Sequence, residues 1–543
     1  MIKPTALLMA IVAASCWSAT ISAQTLPIEH QGQFPPVTLS FKLEQTPILN
    51  WGDQGDGTYR NPILKSDFSD PDVIRVGHDF YLVASDFSYV GIQVMHSKDL
   101  VNWNVIGQVF HRLDMDPKYD QMKGYGQGTW APSLRFHNGE FYLFVCTPAE
   151  GLFMWHTKDP AGKWSDMVTV KAVPKWEDPC PFWDDDGSAY LVHSLKGAGP
   201  IIINKMAPDG AKLLDDGVEV YRGKNAEGPK LYKRHGYYYI SLPEGGFTNG
   251  WQTVLRSKNI LGPYDKKVVL NDGPHQGGMV ELDNGQGWFI GFRVTGFLGR
   301  VDFLEPVTWG ADDWPEFGNN GEPVDQLKMP DVGATFPIQR PETSDEFDQP
   351  TLGLIWQWNH NPVETAWSLT DRPGWLRLKG LPAESTDQAR NTLTQKLWDD
   401  TGTIDVKMDV SHLTDGQRAG LTFISGSTFG WVGAEQKDGQ RQIAWSAKQN
   451  PTTQARDTDR TAAPKQGPPV TGDIIWLRGT YDGPVGDLSY SLDGQTFVET
   501  GVKFPLKYLF WKGAKVGLIC YGDGGGWIDV DYFRYQYGSA AGK

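Results

Sequence analysis

Three acids stand at nearly the same distance before an aromatic residue that opens a strand. Asp70 lies 11 positions before Tyr81, Asp178 lies 12 before Tyr190, and Glu227 lies 12 before Tyr239. The same place holds Trp130, 12 before Tyr142, and a similar one holds His275, 14 before Phe289. Each is followed or preceded closely by proline: Asp70-Pro71, Ala131-Pro132, Asp178-Pro179, Gly228-Pro229 and Pro274-His275. Proline removes a ladder donor and is confined to strand ends, edges and bulges. Carboxyls that face one cavity raise at least one pKa among them, so that one group keeps its proton while another stays ionised. Such a pair suits bond cleavage by a general acid on one side and a water-activating base on the other.

The elements that must position these residues repeat. A phrase of apolar residues, a Gly or Asp/Asn turn and an aromatic pair occurs as IRVGHDFYLV, LRFHNGEFYLF, FWDDDGSAYLV, LYKRHGYYYIS and VELDNGQGWFIG. Its markers Tyr81, Tyr142, Tyr190, Tyr239 and Phe289 are spaced by 61, 48, 49 and 50 residues. Each phrase reads as a hairpin, and several are followed by a second one, as at HSKDLVNW, HTKDPAGKW and RSKNILGPYD. Four strands per roughly 50 residues make a propeller blade. Five units between Asn61 and Trp314 predict a five-bladed β-propeller, whose innermost strands bring the equivalent residues to one axis.

Composition agrees. Among 543 residues Lys plus Arg number 50 and Asp plus Glu 65, a net charge of −15. That disfavours the basic footprint nucleic acids demand. Gly 62 and Pro 36 indicate a turn-rich chain, and Trp 22, Tyr 20 and Phe 25 suit large β cores or stacking on neutral sugars. Residues 1–23 read as a signal peptide, with Lys3, an apolar run from Ala6 to Ala14 and Ala23 at the cleavage site. The run is too short to span a bilayer, so a secreted or periplasmic protein is expected; Val12 to Cys16 loosely imitates a lipid-attachment box. The cysteines beyond the leader, Cys146, Cys180 and Cys520, form no disulfide framework.

With the phrases SDFSDPDVIRVGHDFYLVASDF, GTWAPSLRFHNGEFYLF, EDPCPFWDDDGSAYLVHS, AEGPKLYKRHGYYYI and GPHQGGMVEL, in this order, the sequence resembles glycoside hydrolase family 43. The resemblance implies Asp70 as general base, Asp178 as pKa modulator and orienter, and Glu227 as general acid. It also implies sugar contacts from Arg300 and Gln276 and a stacking wall from Trp130. His275 would sit on the axis as a minor ligand of a structural calcium ion or its water shell, with no metal required for the chemistry; a hydrogen-bonded core histidine is the alternative. The Asp184–Gly187 cluster reads as a hairpin turn, because Lys196 stands where a calcium loop needs Glu. WFIGFRVTGFLGR departs from the pattern, lacking a histidine near Gly291 and a glutamine near Arg293.

The domain reading is a propeller over residues 24–322, a Pro-, Asp- and Gln-rich linker over 323–342, and a second all-β domain over 343–543. Runs such as GTIDVKMDV, AGLTFIS, DIIWLRGTYDG and WIDVDYFRY alternate with period two, as in a jelly-roll, concanavalin-like β-sandwich. IWQWNHNP and ARNTLTQK resemble the C-terminal domain of family members that act as xylosidases or arabinofuranosidases, where the sandwich closes one side of the pocket. A carbohydrate-binding module is the alternative to such a wall, and Glu346 with Asp531 is a candidate calcium pair. The implied activity is inverting, exo-acting release of pentose from neutral plant cell-wall oligosaccharides. A retaining hydrolase of the fructosidase type and a non-catalytic sugar-binding propeller are its rivals.

Overall fold

The computed structural model describes residues 49–449 and 463–538; the signal-peptide reading of residues 1–23 lies outside them. Among the described residues no helix is long and apolar enough to cross a membrane.

Five four-stranded antiparallel sheets follow one another along the chain. Blade I runs from Ser69–Val76 to Trp103–Gln108, blade II from Trp130–His137 to Val168–Lys171, and blade III from Trp176–Trp183 to Val218–Tyr221. Blade IV runs from Lys230–Arg234 to Asp265–Leu270, and blade V from His275–Glu281 to Pro315–Phe317. The first strand of blade I packs against those of blades II and V, which closes the ring. Closure is reinforced from outside the blades, where Ile63 and Phe68 donate backbone hydrogen bonds of 2.8 Å to Asp302 and Arg300 in blade V. The expected linker contributes as well: Gln326–Lys328 pairs with Thr58–Arg60 in a small three-stranded sheet.

Every blade enters the ring through a backbone in the left-handed region. The residues are Asp70 (φ 53°), Ala131 (φ 39°), Asp178 (φ 57°), Gly228 (φ 56°) and Gln276 (φ 37°). In blades I, II, III and V the register of the first hairpin shifts at this point, the signature of a β-bulge. A non-glycine residue held there costs about 1–3 kcal/mol, and such strain gathers at functional sites. Proline follows in the first four blades, where its missing N–H has no ladder partner to lose.

Two seven-stranded antiparallel sheets form the second domain. Its sequence alternation is realised in Thr401–Asp409, where Gly402, Ile404, Val406 and Met408 are buried and Thr401, Thr403, Asp405 and Lys407 half-buried. Each large apolar side chain so placed contributes about 1.5–3 kcal/mol. The sandwich shares one apolar core with blades I, II and V, for Trp51, Phe68 and Leu298 of the propeller side cluster with Trp398, Leu397 and Ala514. Polar groups are trapped in the same seam. Lys512 pairs with Asp67 at 2.8 Å, Lys515 donates to Gln357 at 2.8 Å beneath the Tyr89 ring, and burial pushes the Lys396 ammonium down to about 8.

Glu346 and Asp531 do not form a calcium pair. Glu346 holds Arg534 at 2.7 Å and Asp531 holds Lys407 at 2.6 Å; they are separate surface ion pairs. Asp184 to Gly187 is a hairpin turn, closed by Asp184 N–H donating to Ser188 at 2.8 Å.

Candidate active site

The bulges correct the register read from the sequence. Asp70 and Asp178 occupy the left-handed position itself, together with Ala131, Gly228 and Gln276. Glu227 stands one place earlier, in line with Ser69, Trp130, Glu177 and His275. The hairpin partners make this plain: Ser69 pairs with Ser85 and Glu177 with Ser194, each four residues past its aromatic marker. Glu227 donates its N–H to Pro243, four past Tyr239. A linear count from the aromatic residue passes over the extra bulge residue, whereas the backbone turns successive side chains to different sides of it.

Asp70 is 5% exposed and acts as acceptor in every contact. Ser69 and Ser85 hydroxyls donate to its Oδ2 at 2.8 and 2.7 Å, and Arg300 donates to Oδ1 at 2.6 Å. Arg300, buried at 6% exposure, also donates to Ser69 and lies against the Phe292, Phe247 and Trp511 rings. It therefore orients Asp70.

Asp178 accepts from Ser194 at 3.0 Å, from Gly228 N–H at 2.8 Å and from Gln276 Nε2 at 3.3 Å. Burial, and next the charges of Glu227 and Asp70, raise its pKa to about 7, against the pull of Gly228 N–H and Lys230. Gln276 is thus first a partner of Asp178. Glu227 is only part-buried and accepts from or donates to His275 Nε2 at 3.0 Å. One oxygen each of Glu177, Asp178 and Glu227 lies within 4.8 Å of the others. Glu177 is the acid the linear count missed; the signal that finds it is the alignment on the bulge, which puts it in the Glu227 place one blade earlier.

His275 meets Glu227 through Nε2, and its buried Nδ1 has no hydrogen-bond partner, which leaves that nitrogen open to a water molecule or a hydrated ion. Among the described residues it joins no close group of carboxylates, and calcium takes mainly oxygen donors. Below the acids the first strands supply cations instead: Arg135 pairs with Asp72 at 2.7 Å and Lys230 lies 3.7 Å from it.

Trp130 opens the first strand of blade II. Its indole N–H donates to Gly126 at 2.8 Å, and its ring meets Phe87 and Trp511 edge-on at 5.8 and 6.2 Å. Trp511 comes from the sandwich, on the turn between the bridged residues Leu509 and Lys512. Phe510 and Trp511 there adopt φ 53° and 67°, and Trp511, 37% exposed, also faces Phe247 at 5.6 Å. Lys512 anchors the turn by donating to Ser85, the residue that holds Asp70. The second domain thus sets Trp511 against Trp130 and Arg300 and Lys512 against Ser85.

Two buried carboxyls and a part-buried third in distinct bonding environments, with aromatic faces beside them on a propeller axis, are the site of a glycoside hydrolase. The family model for glycosyl hydrolases family 43 matches residues 59–315, and that for the beta xylosidase C-terminal concanavalin A-like domain matches 344–536. A Xylanibacter ruminicola protein is 45% identical over 494 residues, 86% of this chain and 87% of that one. A beta-xylosidase of Formosa agariphila is 36% identical over 573 residues, 92% and 94% of the two chains. Among solved structures, the Bacteroides ovatus xyloglucan-locus family 43 protein superposes with a TM-score of 0.78 at 29% identity, over 88% of this chain and 99% of that one. The chain belongs to glycosyl hydrolase family 43.

Proposed function

We propose that this protein is a secreted exo-glycosidase that releases pentose, β-D-xylose and/or α-L-arabinofuranose, from plant cell-wall oligosaccharides with inversion at the anomeric carbon. The observation that carries the reading is the contrast between two carboxyls. Asp70 is held by a guanidinium and two hydroxyls, all donors, whereas Glu227 sits beside other acids and a histidine.

Asp70 as carboxylate takes a proton from the attacking water, whose oxygen bonds to the anomeric carbon. The glycosidic C–O bond breaks as Glu227 gives its proton to the leaving oxygen, so the pair ends one proton exchanged and is reset through solvent. Asp178 lies beside Glu227, helps hold its proton once ionised, and with Gln276 and Arg300 faces the sugar. No step needs a metal ion. Trp511 and the sandwich narrow one side of the pocket, which favours a chain end over a chain interior. Pentose is favoured by the beta-xylosidase of Formosa agariphila and by the non-reducing end alpha-L-arabinofuranosidase of Bacteroides ovatus, 38% identical over 350 residues.

The test is hydrolysis of an aryl β-D-xyloside beside an aryl α-L-arabinofuranoside, followed by NMR of the first-formed sugar. Cleavage of at least one with inverted product is expected, and Asp70→Asn should abolish both activities while binding persists. Product of retained configuration would make Asp70 a nucleophile and overturn the inverting reading.

A further inference from the structure

We propose that Asp67 and Lys512 are positioning residues for the catalytic base, so that the sandwich domain acts on the chemical step and not only on the shape of the pocket. This rests on Asp70 being that base. Asp67 and Lys512 are 2% and 4% exposed and pair at 2.8 Å across the seam between the domains. The two oxygens of Asp67 have separate partners. Oδ2 takes the sandwich, with Lys512 Nζ at 2.8 Å and Gly513 N–H at 3.1 Å. Oδ1 accepts the backbone N–H of Arg300 at 3.0 Å, while the Arg300 carbonyl accepts from Phe68 N–H at 2.8 Å. The backbone of Arg300 is thus held on both sides, and its guanidinium donates to Asp70 Oδ1 at 2.6 Å.

A second line runs from the same ammonium to the other oxygen of the base. Lys512 Nζ donates to the Ser85 carbonyl at 3.1 Å. The Ser85 hydroxyl donates to Asp70 Oδ2 at 2.7 Å and accepts Ala131 N–H at 2.6 Å. Both oxygens of Asp70 are therefore aimed through groups that end on Lys512. The packing there is close. A Cβ on Gly299 (φ 84°) would lie 2.3 Å from Asp67 Oδ1 and 2.7 Å from Gly513 N, and one on Gly513 would lie 2.5 Å from the Leu298 oxygen. Ala514 N–H donates to the Phe297 carbonyl at 2.7 Å, which seats the entry to strand Lys515–Tyr521 against the segment that leads into Arg300. Two other lysines buried in the seam end elsewhere: Lys396 on the Gln93 amide and the Phe68 ring, Lys515 on the Gln357 amide and the Tyr89 ring. A base must lie within hydrogen-bond reach of the proton it takes, and a misplacement of about 1 Å costs about 10²-fold in rate. Removing one partner of a buried pair leaves the other charge uncompensated, so without Lys512 the Asp67 carboxylate turns and releases Arg300.

Lys512→Met in the full chain keeps most of the side chain's length and removes its charge and its bonds to Asp67 and Ser85. On an activated aryl xyloside or arabinofuranoside kcat should fall by about 10- to 100-fold. The same factor is expected on a glycoside with a poor leaving group, because attack by water is common to both. KM should stay within about threefold, the signature of an interaction lost in the transition state. Asp67→Asn should show the same pattern, and the double variant should lose no more than the worse single one, since the two residues act as a unit. Lys515→Met, in the same seam, should lower Tm and leave kcat unchanged. Wild-type kcat with a lowered Tm in Lys512→Met would reduce the pair to a seam contact and overturn the proposal. A raised KM with kcat kept, which would place the effect on the neighbouring Trp511, overturns it too, as does an equal kcat loss in Lys515→Met. Should Lys512→Met not fold, the double variant Asp67→Asn/Lys512→Met, which leaves no charge unpaired, decides by the same readouts. Failure of the base assignment itself shows separately, as product of retained configuration from the wild-type enzyme.

Discussion

Replacing Asp178 by Asn removes one negative charge from the acid site and leaves the hydrogen-bonding shape nearly intact. Its carboxyl lies within 4.8 Å of that of Glu227. At an effective dielectric of about 20, two charges at that separation repel by about 3.5 kcal/mol, equivalent to about 2.5 pH units. Gly228 N–H and Lys230 already draw on the Asp178 charge, so a displacement of about one to two units is expected. The alkaline limb of kcat/KM, which reports the free enzyme's acid, should move by that amount to lower pH. A profile from pH 4 to 9 on an unactivated glycoside measures it. An unmoved limb with only KM changed would refute the electrostatic coupling and leave Asp178 as a sugar ligand. Stability supplies a second reading of the same variant. Folding raises the Asp178 pKa to about 7, so its contribution is fully present below the unfolded value of about 4 and is lost as pH rises through 7. Asn carries no such penalty. The variant's Tm should therefore exceed that of wild type by more at pH 8 than at pH 5.

Glu227→Gln should depress turnover of substrates with poor leaving groups by about 10²- to 10⁴-fold while largely sparing activated aryl glycosides; parallel kcat measurements on the two check it, and equal losses would remove Glu227 from the acid role. Truncation after Arg340 should yield insoluble or inactive protein, because it strips the apolar seam around Trp51, Phe68 and Leu298 and removes Lys512, which pairs with Asp67 and holds Ser85. A soluble fragment with wild-type activity on short substrates would show that the sandwich is not a wall.

The blade count was legible in the sequence because it depends on local pattern. An aromatic pair after a polar turn, recurring about every 50 residues, makes hairpins whatever surrounds them, and period-two runs such as GTIDVKMDV have one face to bury in any context. Asp70, Asp178 and Glu227 were legible for the same reason: prolines mark the strand entry, and acids beside them stand out. Their mutual geometry was not. A bulge is one residue with φ near 50°, and nothing in a linear count says where that residue falls, so Glu227 read as equivalent to Asp70 and Glu177 went unseen. The contact of His275 with Glu227 was hidden likewise, since a histidine's partners are decided by which blade faces it.

By itself, then, the sequence determined the two all-β domains, the repeat and the residue types that converge on the axis, because these follow from periodicity and backbone preference. Only the tertiary structure decided which oxygen faces which proton, that Arg300 in blade V holds Asp70 in blade I, and that Trp511 reaches the pocket from the second domain. Those contacts join residues more than 200 positions apart. Their energies depend on distance and burial, which the chain acquires when the ring closes and the sandwich docks against it.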